Sequence, residues 1–313
     1  MNQALGFVFP GQGSQKPGML TELAAEHPVI GNTFAEASEA LSYNLWDLVK
    51  NDDGNELSRT SITQPAILTA SVAIWRLWLV QGGQQPGLMA GHSLGEYSAL
   101  VCSEVIAFPD AVKLVRKRGE LMQNAVPAGV GGMAAIVGLD DDSVIKACGE
   151  AAQGQIVTAV NFNSPGQVVI AGHNDAVARA VELCKAAGAK RALPLPVSAP
   201  FHCELMRPAA ENFAAELASV PLGQPRIPVI QNFGVQASTS TQQISANLVK
   251  QIYSPVPWVA TIKRFAEQGI TATLELGPGR VLSGLNKRIQ PDMDCQAVND
   301  PQGLAQALGR FSV

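Results

Sequence analysis

A short apolar run from Leu88 to Ala90 is followed at once by Gly91-His92-Ser93-Leu94-Gly95, and then by helical sequence from about Glu96. Few folds accommodate that order. Two glycines bracketing a serine let the chain turn sharply from strand to helix and hold the hydroxyl out at the strand's end. G-x-S-x-G in this setting is the pattern of an exposed nucleophile, with the backbone N–H of the following residue turned toward a developing oxyanion. A plainer reading, a tight turn around a buried serine, remains open on this motif alone.

The surrounding chain predicts an α/β protein. A strand from Leu5 to Phe9 runs into Gly11-Gln12-Gly13. A helix is expected to open at Thr63-Gln64-Pro65, with Thr63 as cap and Pro65 in the first turn, and it carries Ile67, Ala70, Ile74, Leu77 and Trp78 at helical spacing as core. Further strands are expected from Ile227 to Gln231 and from Ala272 to Leu276, and a helix from near Gly279. Between them the pattern changes. Met133 to Val137 is strand-like, Asp141 to Ala152 helical, Ile156 to Val160 and Val168 to Ala171 strands about the turn Ser164-Pro165-Gly166, Asp175 to Ala187 helical and Ala192 to Val197 extended. That β-α-β-β-α-β order is the ferredoxin-like signature. At 313 residues the chain has room for a large domain with a smaller one inserted, and the expected division is 1–127 with 199–313 for the large domain and 128–198 for the small one.

A serine nucleophile needs a base. His92 is its immediate neighbour and would have to fold back on the turn, whereas His202 lies in the proline-bounded apolar segment Val197-Ser198-Ala199-Pro200-Phe201-His202, which suits a fixed loop entering a site. His202 is the better candidate, with a satisfied core histidine as its alternative. His173 reads as a capping or surface residue, and His27 as exposed. The four histidines and the five widely spaced cysteines (Cys102, Cys148, Cys184, Cys203, Cys295) show no metal-ligand spacing, and the cysteines read as reduced and mostly buried. The Gly11-Gln12-Gly13 turn lacks the endings of a phosphate-binding loop or a dinucleotide fingerprint. A net charge of -4 without a long basic run speaks against nucleic acid or an anionic membrane as partner. The run from Ala4 to Phe9 has no basic leader and breaks at Pro10-Gly11, so no signal peptide or membrane anchor is expected, and the cytoplasm is the expected location.

Taken together, Phe9-Pro10-Gly11-Gln12-Gly13-Ser14-Gln15, Gly91-His92-Ser93-Leu94-Gly95-Glu96-Tyr97, Arg118-Gly119 with Leu121-Met122, Asn161-Phe162-Asn163-Ser164-Pro165-Gly166-Gln167, Pro200-Phe201-His202 and Glu275-Leu276-Gly277-Pro278-Gly279 resemble, in order and over nearly the whole chain, the malonyl-CoA:acyl carrier protein transacylases. The resemblance implies a hydrolase-like α/β domain with a parallel sheet plus a ferredoxin-like domain, in agreement with the pattern above. It implies malonyl transfer from malonyl-CoA to the phosphopantetheine thiol of acyl carrier protein, by a ping-pong route through a Ser93 ester and for fatty acid biosynthesis. His202 matches the family's base, and Gln12 and Leu94 the two backbone donors of the oxyanion hole. Arg118 matches the arginine that grips the malonyl carboxylate, Gln251 the residue whose backbone carbonyl orients the histidine, and Met122 and Asn163 residues lining the site. No metal or other cofactor is implied, and a monomer is expected. The carrier in this family is acidic, so a basic patch near the site mouth is expected, for which Lys190, Arg191, Lys287 and Arg288 are candidates by charge alone.

Phe201 departs from many bacterial members, which have serine there. In the related acyltransferase domains of polyketide synthases, phenylalanine at this place goes with malonyl and serine with methylmalonyl, so Phe201 implies a cramped pocket at the malonyl α-carbon. Three other readings stand beside the main one: an acyltransferase serving a polyketide or malonate decarboxylase system, a lipase or patatin-like hydrolase, and an inactive carrier-protein scaffold. The hydrolase reading is weakened because the chain has no His-Gly-Gly motif and its one Asp-Gly pair, Asp53-Gly54, precedes the serine in a polar loop.

Overall fold

The computed structural model describes residues 2–312 apart from Ser198. Ser198, the expected end of the small domain, and Met1 and Val313, the expected outer bounds of the large one, lie outside the described residues. Nine strands occur among the described residues: β1 (Asn2–Phe9), β2 (Pro86–Gly91), β3 (Gly131–Val137), β4 (Val157–Ser164), β5 (Gln167–His173), β6 (Arg191–Pro194), β7 (Val229–Ile230), β8 (Ala272–Leu276) and β9 (Asp294–Val298). They form two sheets, a five-stranded one in the order β7-β2-β1-β8-β9 and a four-stranded one in the order β4-β5-β3-β6.

All pairings in the larger sheet are parallel. A parallel sheet carries its crossover helices on both faces, and its strands are accordingly apolar on both. Along β1, Leu5, Phe7 and Phe9 enter one core while Val8 enters another with Leu88 and Ala90 of β2. The helix Thr60–Val80 lies on the first of these faces, where Trp75 and Trp78 meet Phe7 edge-on, each with ring centroids 5.7 Å away. Its surroundings bury Ile67, Ala70, Ile74, Leu77 and Trp78, so the helical spacing reads correctly as core.

The smaller sheet is antiparallel throughout. With the helices Asp141–Ala152 and Asn174–Ala186 it gives the β-α-β-β-α-β order of the sequence pattern, and it has its own apolar core, which includes Ile136, Val144, Val168, Ile170 and Val177. Main-chain bonds join it to the other unit. The Val256 N–H donates to the Val160 carbonyl (2.7 Å), and the Phe162 N–H donates to the Val256 carbonyl (3.0 Å).

Two elements differ from the sequence expectation. The helix begins at Thr60, so Pro65 is internal and one i→i−4 bond is forgone. Thr63 is no cap, and its hydroxyl donates back to the Leu57 and Arg59 carbonyls. The strand expected from Ile227 to Gln231 contracts to β7 because its flanks bond elsewhere: the Ile227 N–H goes to Ser103 Oγ (3.1 Å) and the Gln231 N–H to the Gln236 carbonyl (3.1 Å).

One carboxylate ties β8 to the next helix, Val281–Ile289. Glu275, wholly buried, accepts from the N–H groups of Leu282 (3.0 Å) and Ser283 (2.7 Å) and from Ser283 Oγ (2.8 Å). It thereby satisfies orphan donors at the start of that helix, where the helix dipole favours an anion. Glu275→Ala should lower the free energy of unfolding by about 3 kcal/mol or more, since several buried donors lose their acceptor together. Urea denaturation measures this, and a loss below about 1 kcal/mol would show that the helix start does not depend on the carboxylate.

Candidate active site

Adjacent parallel strands emerge side by side, and the site lies where β1 and β2 end. Phe9 pairs with Gly91, so the turn carrying Gln12 and the turn carrying Ser93 leave the sheet together, at the carboxyl edge where open α/β sheets bind ligands. The second turn is tight enough to require its glycines. A Cβ on Gly91 would lie 1.8 Å from the carbonyl carbon of Gly95, and one on Gly95 would lie 2.0 Å from the Phe9 oxygen. Ser93 itself sits at φ 52°, a strained position for a side chain that the surroundings must hold. Asn232 holds it, accepting from the Ser93 N–H (2.8 Å) and donating to the Gly91 carbonyl (2.7 Å).

Ser93 Oγ lies 2.7 Å from His202 Nε2, and His202 Nδ1 lies 2.9 Å from the Gln251 carbonyl. Because a carbonyl only accepts, Nδ1 carries the proton and Nε2 is left as acceptor for the serine hydroxyl. Burial, then the neighbouring Arg118 cation, push the His202 pKa down to about 3. His92 takes no part in this chain of bonds: its Nε2 lies 2.8 Å from Asn163 Oδ1. Cys203, next to His202, is buried with its thiol donating to the Pro200 carbonyl (3.1 Å), and burial raises its pKa to about 11, so it is a poor rival nucleophile.

Arg118, only 1% exposed, projects from the helix Phe108–Gln123 toward the serine. Nη1 donates to Gln64 Oε1 (2.9 Å), and Nη2 donates to Gln251 Oε1 (2.9 Å) and to Ser93 Oγ (3.3 Å). The guanidinium also lies 5.2 Å from the centre of the Tyr97 ring. A cavity of about 120 Å³ opens over these groups, lined by Gln12, Leu94, Met122 and Phe201 among others. That is about four water molecules' share of liquid volume, suited to a short acyl unit. The backbone N–H groups of Gln12 and Leu94 donate to no acceptor among the described residues.

Of the residues nominated from sequence, the structure brings Ser93, His202, Gln12, Leu94, Arg118, Met122, Phe201 and the Gln251 carbonyl to one place. Asn163 is set back from the cavity, behind His92. Asn161 lines it instead, with a buried Oδ1 that meets no hydrogen-bond partner among the described residues. Gln251 does more than its backbone role, since its side chain bonds Arg118, the Ser93 carbonyl (3.0 Å) and Glu96 Oε2 (2.8 Å). Gln64 carried no signal in the sequence beyond being a polar residue in an apolar helix, and the side-chain part of Gln251, on the polar-rich helix Thr241–Gln251, carried none.

A sequence model described as an acyl transferase domain matches residues 6–293. The malonyl CoA-acyl carrier protein transacylase of Salmonella typhimurium is 58% identical over 302 residues, 96% of this chain and 98% of the relative. The crystal structure of an acyl carrier protein S-malonyltransferase from Vibrio cholerae has a TM-score of 0.95 at 56% identity, covering 97% of this chain and 99% of that one. A malonyl-transacylase in complex with a type II PKS acyl-carrier protein gives a TM-score of 0.96, also at 56% identity and with the same two coverages.

The depressed His202 pKa makes the pH dependence testable. Free imidazole titrates near 6.5, whereas His202 in the folded chain stays unprotonated down to about 3. Acylation of Ser93, followed as kcat/KM and so reporting the free enzyme, should therefore be nearly flat from about pH 7 to about pH 5. An acid limb centred near pH 6.5 would contradict the buried neutral base. Stability has the corresponding sign: between pH 6.5 and about 3 the unfolded chain binds a proton that the folded one refuses, so folding weakens as pH falls through that window.

Proposed function

This chain belongs to the acyl transferase family, among the malonyl-CoA:acyl carrier protein transacylases, and we propose that it carries out their reaction through an ester on Ser93. It is an acyltransferase that moves malonyl from coenzyme A to an acyl carrier protein. The observation that supports the route is the Ser93–His202–Gln251 chain of hydrogen bonds with a buried Arg118 3.3 Å from the same serine oxygen: a nucleophile, its base, and a cation placed for an acyl group that ends in a carboxylate.

His202 Nε2 takes the proton from Ser93 Oγ as the oxygen attacks the malonyl thioester. The N–H groups of Gln12 and Leu94 stabilise the tetrahedral oxyanion, and the coenzyme A thiolate leaves with the proton from His202. The carrier's phosphopantetheine thiol then attacks the ester, gives its proton to His202 and departs with malonyl, and Ser93 Oγ recovers the proton. One thioester replaces another, so the free-energy change is small and the demanding part is keeping water from the ester. None of these steps uses a metal or redox group.

Arg118, whose buried Nε meets no hydrogen-bond partner among the described residues, is placed to hold the malonyl carboxylate, and Phe201 and Met122 close the pocket around a short chain. Lys190, Arg191, Lys287 and Arg288 are all exposed, which suits them to meet an acidic carrier. Fatty acid biosynthesis in the cytoplasm, with the enzyme as a monomer, is the proposed setting; among the described residues no helix is long and apolar enough to cross a membrane. A carrier from a polyketide system is the second reading, favoured by the relative bound to such a carrier. Comparing kcat/KM for the two kinds of carrier protein separates these.

Labelled malonyl-CoA supplied without carrier should leave a malonyl adduct on Ser93. Ser93→Ala should abolish it, and His202→Ala should slow its formation by several orders of magnitude. An adduct that persists in Ser93→Ala, or release of free malonate instead of an adduct, would overturn the assignment.

The role of Arg118 is checked by substrate choice. Acetyl-CoA lacks the carboxylate and forgoes the charge pair with Arg118, and losing one partner of a buried pair typically costs about 3–5 kcal/mol. Arg118→Ala should therefore cut malonyl kcat/KM by about a hundredfold or more while acetyl transfer stays level or improves. Equal losses on both substrates would make the residue structural. Arg118→Lys should also lose malonyl transfer, because an ammonium cannot reproduce the planar fork.

A further inference from the structure

Glu96 lies three residues beyond the nucleophile and is wholly buried, yet no step of the reaction uses it. Its carboxylate accepts three hydrogen bonds: Gln231 Nε2 to Oε1 (3.0 Å), and the Asn232 N–H (2.8 Å) and Gln251 Nε2 (2.8 Å) to Oε2. Every one of these partners presents an N–H. Burial pushes the Glu96 pKa up and these donors oppose it; a protonated carboxyl would need an acceptor for its own hydrogen, and none of these groups supplies one, so the hydrogen-bond geometry favours the anion. A buried anion requires a counter-charge, and among the described residues no cation touches this one. The nearest connection to a cation runs through a single side chain, Gln251, whose Nε2 donates to Glu96 and whose Oε1 accepts from Arg118 Nη2 (2.9 Å). The orientation of that amide is fixed independently, because the same Nε2 donates to the Ser93 carbonyl (3.0 Å).

We propose that Glu96 is a positioning residue for malonyl selection: through the Gln251 amide it holds Arg118 in place and supplies the negative charge that balances Arg118 while the acyl site is empty. The proposal rests on the reading of Arg118 as the malonyl-carboxylate site. An incoming malonyl carboxylate then competes with a resident anion for the same guanidinium. The substrate is held less tightly than Arg118 alone would hold it, which suits an enzyme that must pass the acyl group on. The same carboxylate also supports the turn through Asn232, so the charge and the scaffold have to be tested separately.

Glu96→Gln keeps an acceptor for the Asn232 and Gln251 donors and removes the charge. With no resident anion, the KM for malonyl-CoA should fall several-fold, that for acetyl-CoA should not, and the malonyl-to-acetyl ratio of kcat/KM should rise about tenfold, the order expected for two charges separated by one amide group in partly screened surroundings. Glu96→Asp keeps the charge and should leave the malonyl KM near that of the unaltered enzyme even where kcat drops. If Glu96→Gln lowers both substrates by one factor with KM unchanged, the carboxylate is scaffold only and the proposal is overturned. Should that variant not fold, Gln251→Met decides. It cuts the bridge, keeps the His202-orienting carbonyl and both charges, and should lower the malonyl-to-acetyl ratio by loosening Arg118; an unchanged ratio overturns the proposal. Arg118→Ala, run alongside, tells the two failures apart. If it leaves the ratio intact, the reading of the acyl site has failed; if it collapses the ratio while the Glu96 variant does nothing, only the role of Glu96 has.

Discussion

A guanidinium stripped of water must find its partners inside the protein, and at Arg118 this requirement organises the surroundings of the nucleophile. The helix Thr60–Val80 brings Gln64, the helix Thr241–Gln251 ends on Gln251, and the helix after the turn brings the Tyr97 ring. Three separate helices are thereby pinned to one cation. The hydrogen bonds do not stop there, since Gln251 also holds His202 by its carbonyl and Ser93 and Glu96 by its amide. Buried polar networks of this kind are rigid when every member is satisfied and costly when one is not. After burial, the Arg118 cation is what most lowers the pKa of His202 beside it, so the two proposed functions of the cleft are electrostatically joined.

Both reacting side chains sit on strained backbone. Ser93 has φ 52° and His202 φ 64°, in the left-handed region that non-glycine residues adopt at a cost of order 1–3 kcal/mol each. The compensation is local. Asn232 ties the serine turn from outside, while His202 is fixed from behind by a carbonyl at the end of a helix rather than by a third carboxylate. A carbonyl cannot take the proton, so it sets the tautomer; its hydrogen bond by itself raises the His202 pKa, but burial and then the Arg118 cation outweigh it and leave the imidazole weakly basic.

Much of this was legible in the residues. The glycine-bracketed serine between strand and helix located the turn because steric crowding at Gly91 and Gly95 permits nothing larger, and the β-α-β-β-α-β order of elements from Gly131 onward disclosed the second sheet. Boundaries fared less well where tertiary partners decide them: the helix at Thr60 begins three residues before the cap-like Thr63, and β7 loses its ends to Ser103 and Gln236. The Asp294–Val298 strand, at a sheet edge with mostly half-buried residues, has too little apolar pattern to announce itself. Asn163 and Asn161 are two residues apart on one strand, yet Asn163 is bonded to His92 while Asn161 lines the cavity, a distinction that the tertiary packing makes and the residue pattern does not.

The main-chain pair at Val256 has a mechanical meaning. It joins β4 to the segment just beyond Gln251, so peptide groups rivet the two units there, alongside the side-chain bonds between His92 and Asn163 and between Arg288 and Gln167. On the proposed reading a pantetheine arm enters past Leu195 and Val197, which border the cavity, while the serine, the imidazole and the guanidinium keep their mutual distances through the bonds they share with Gln251.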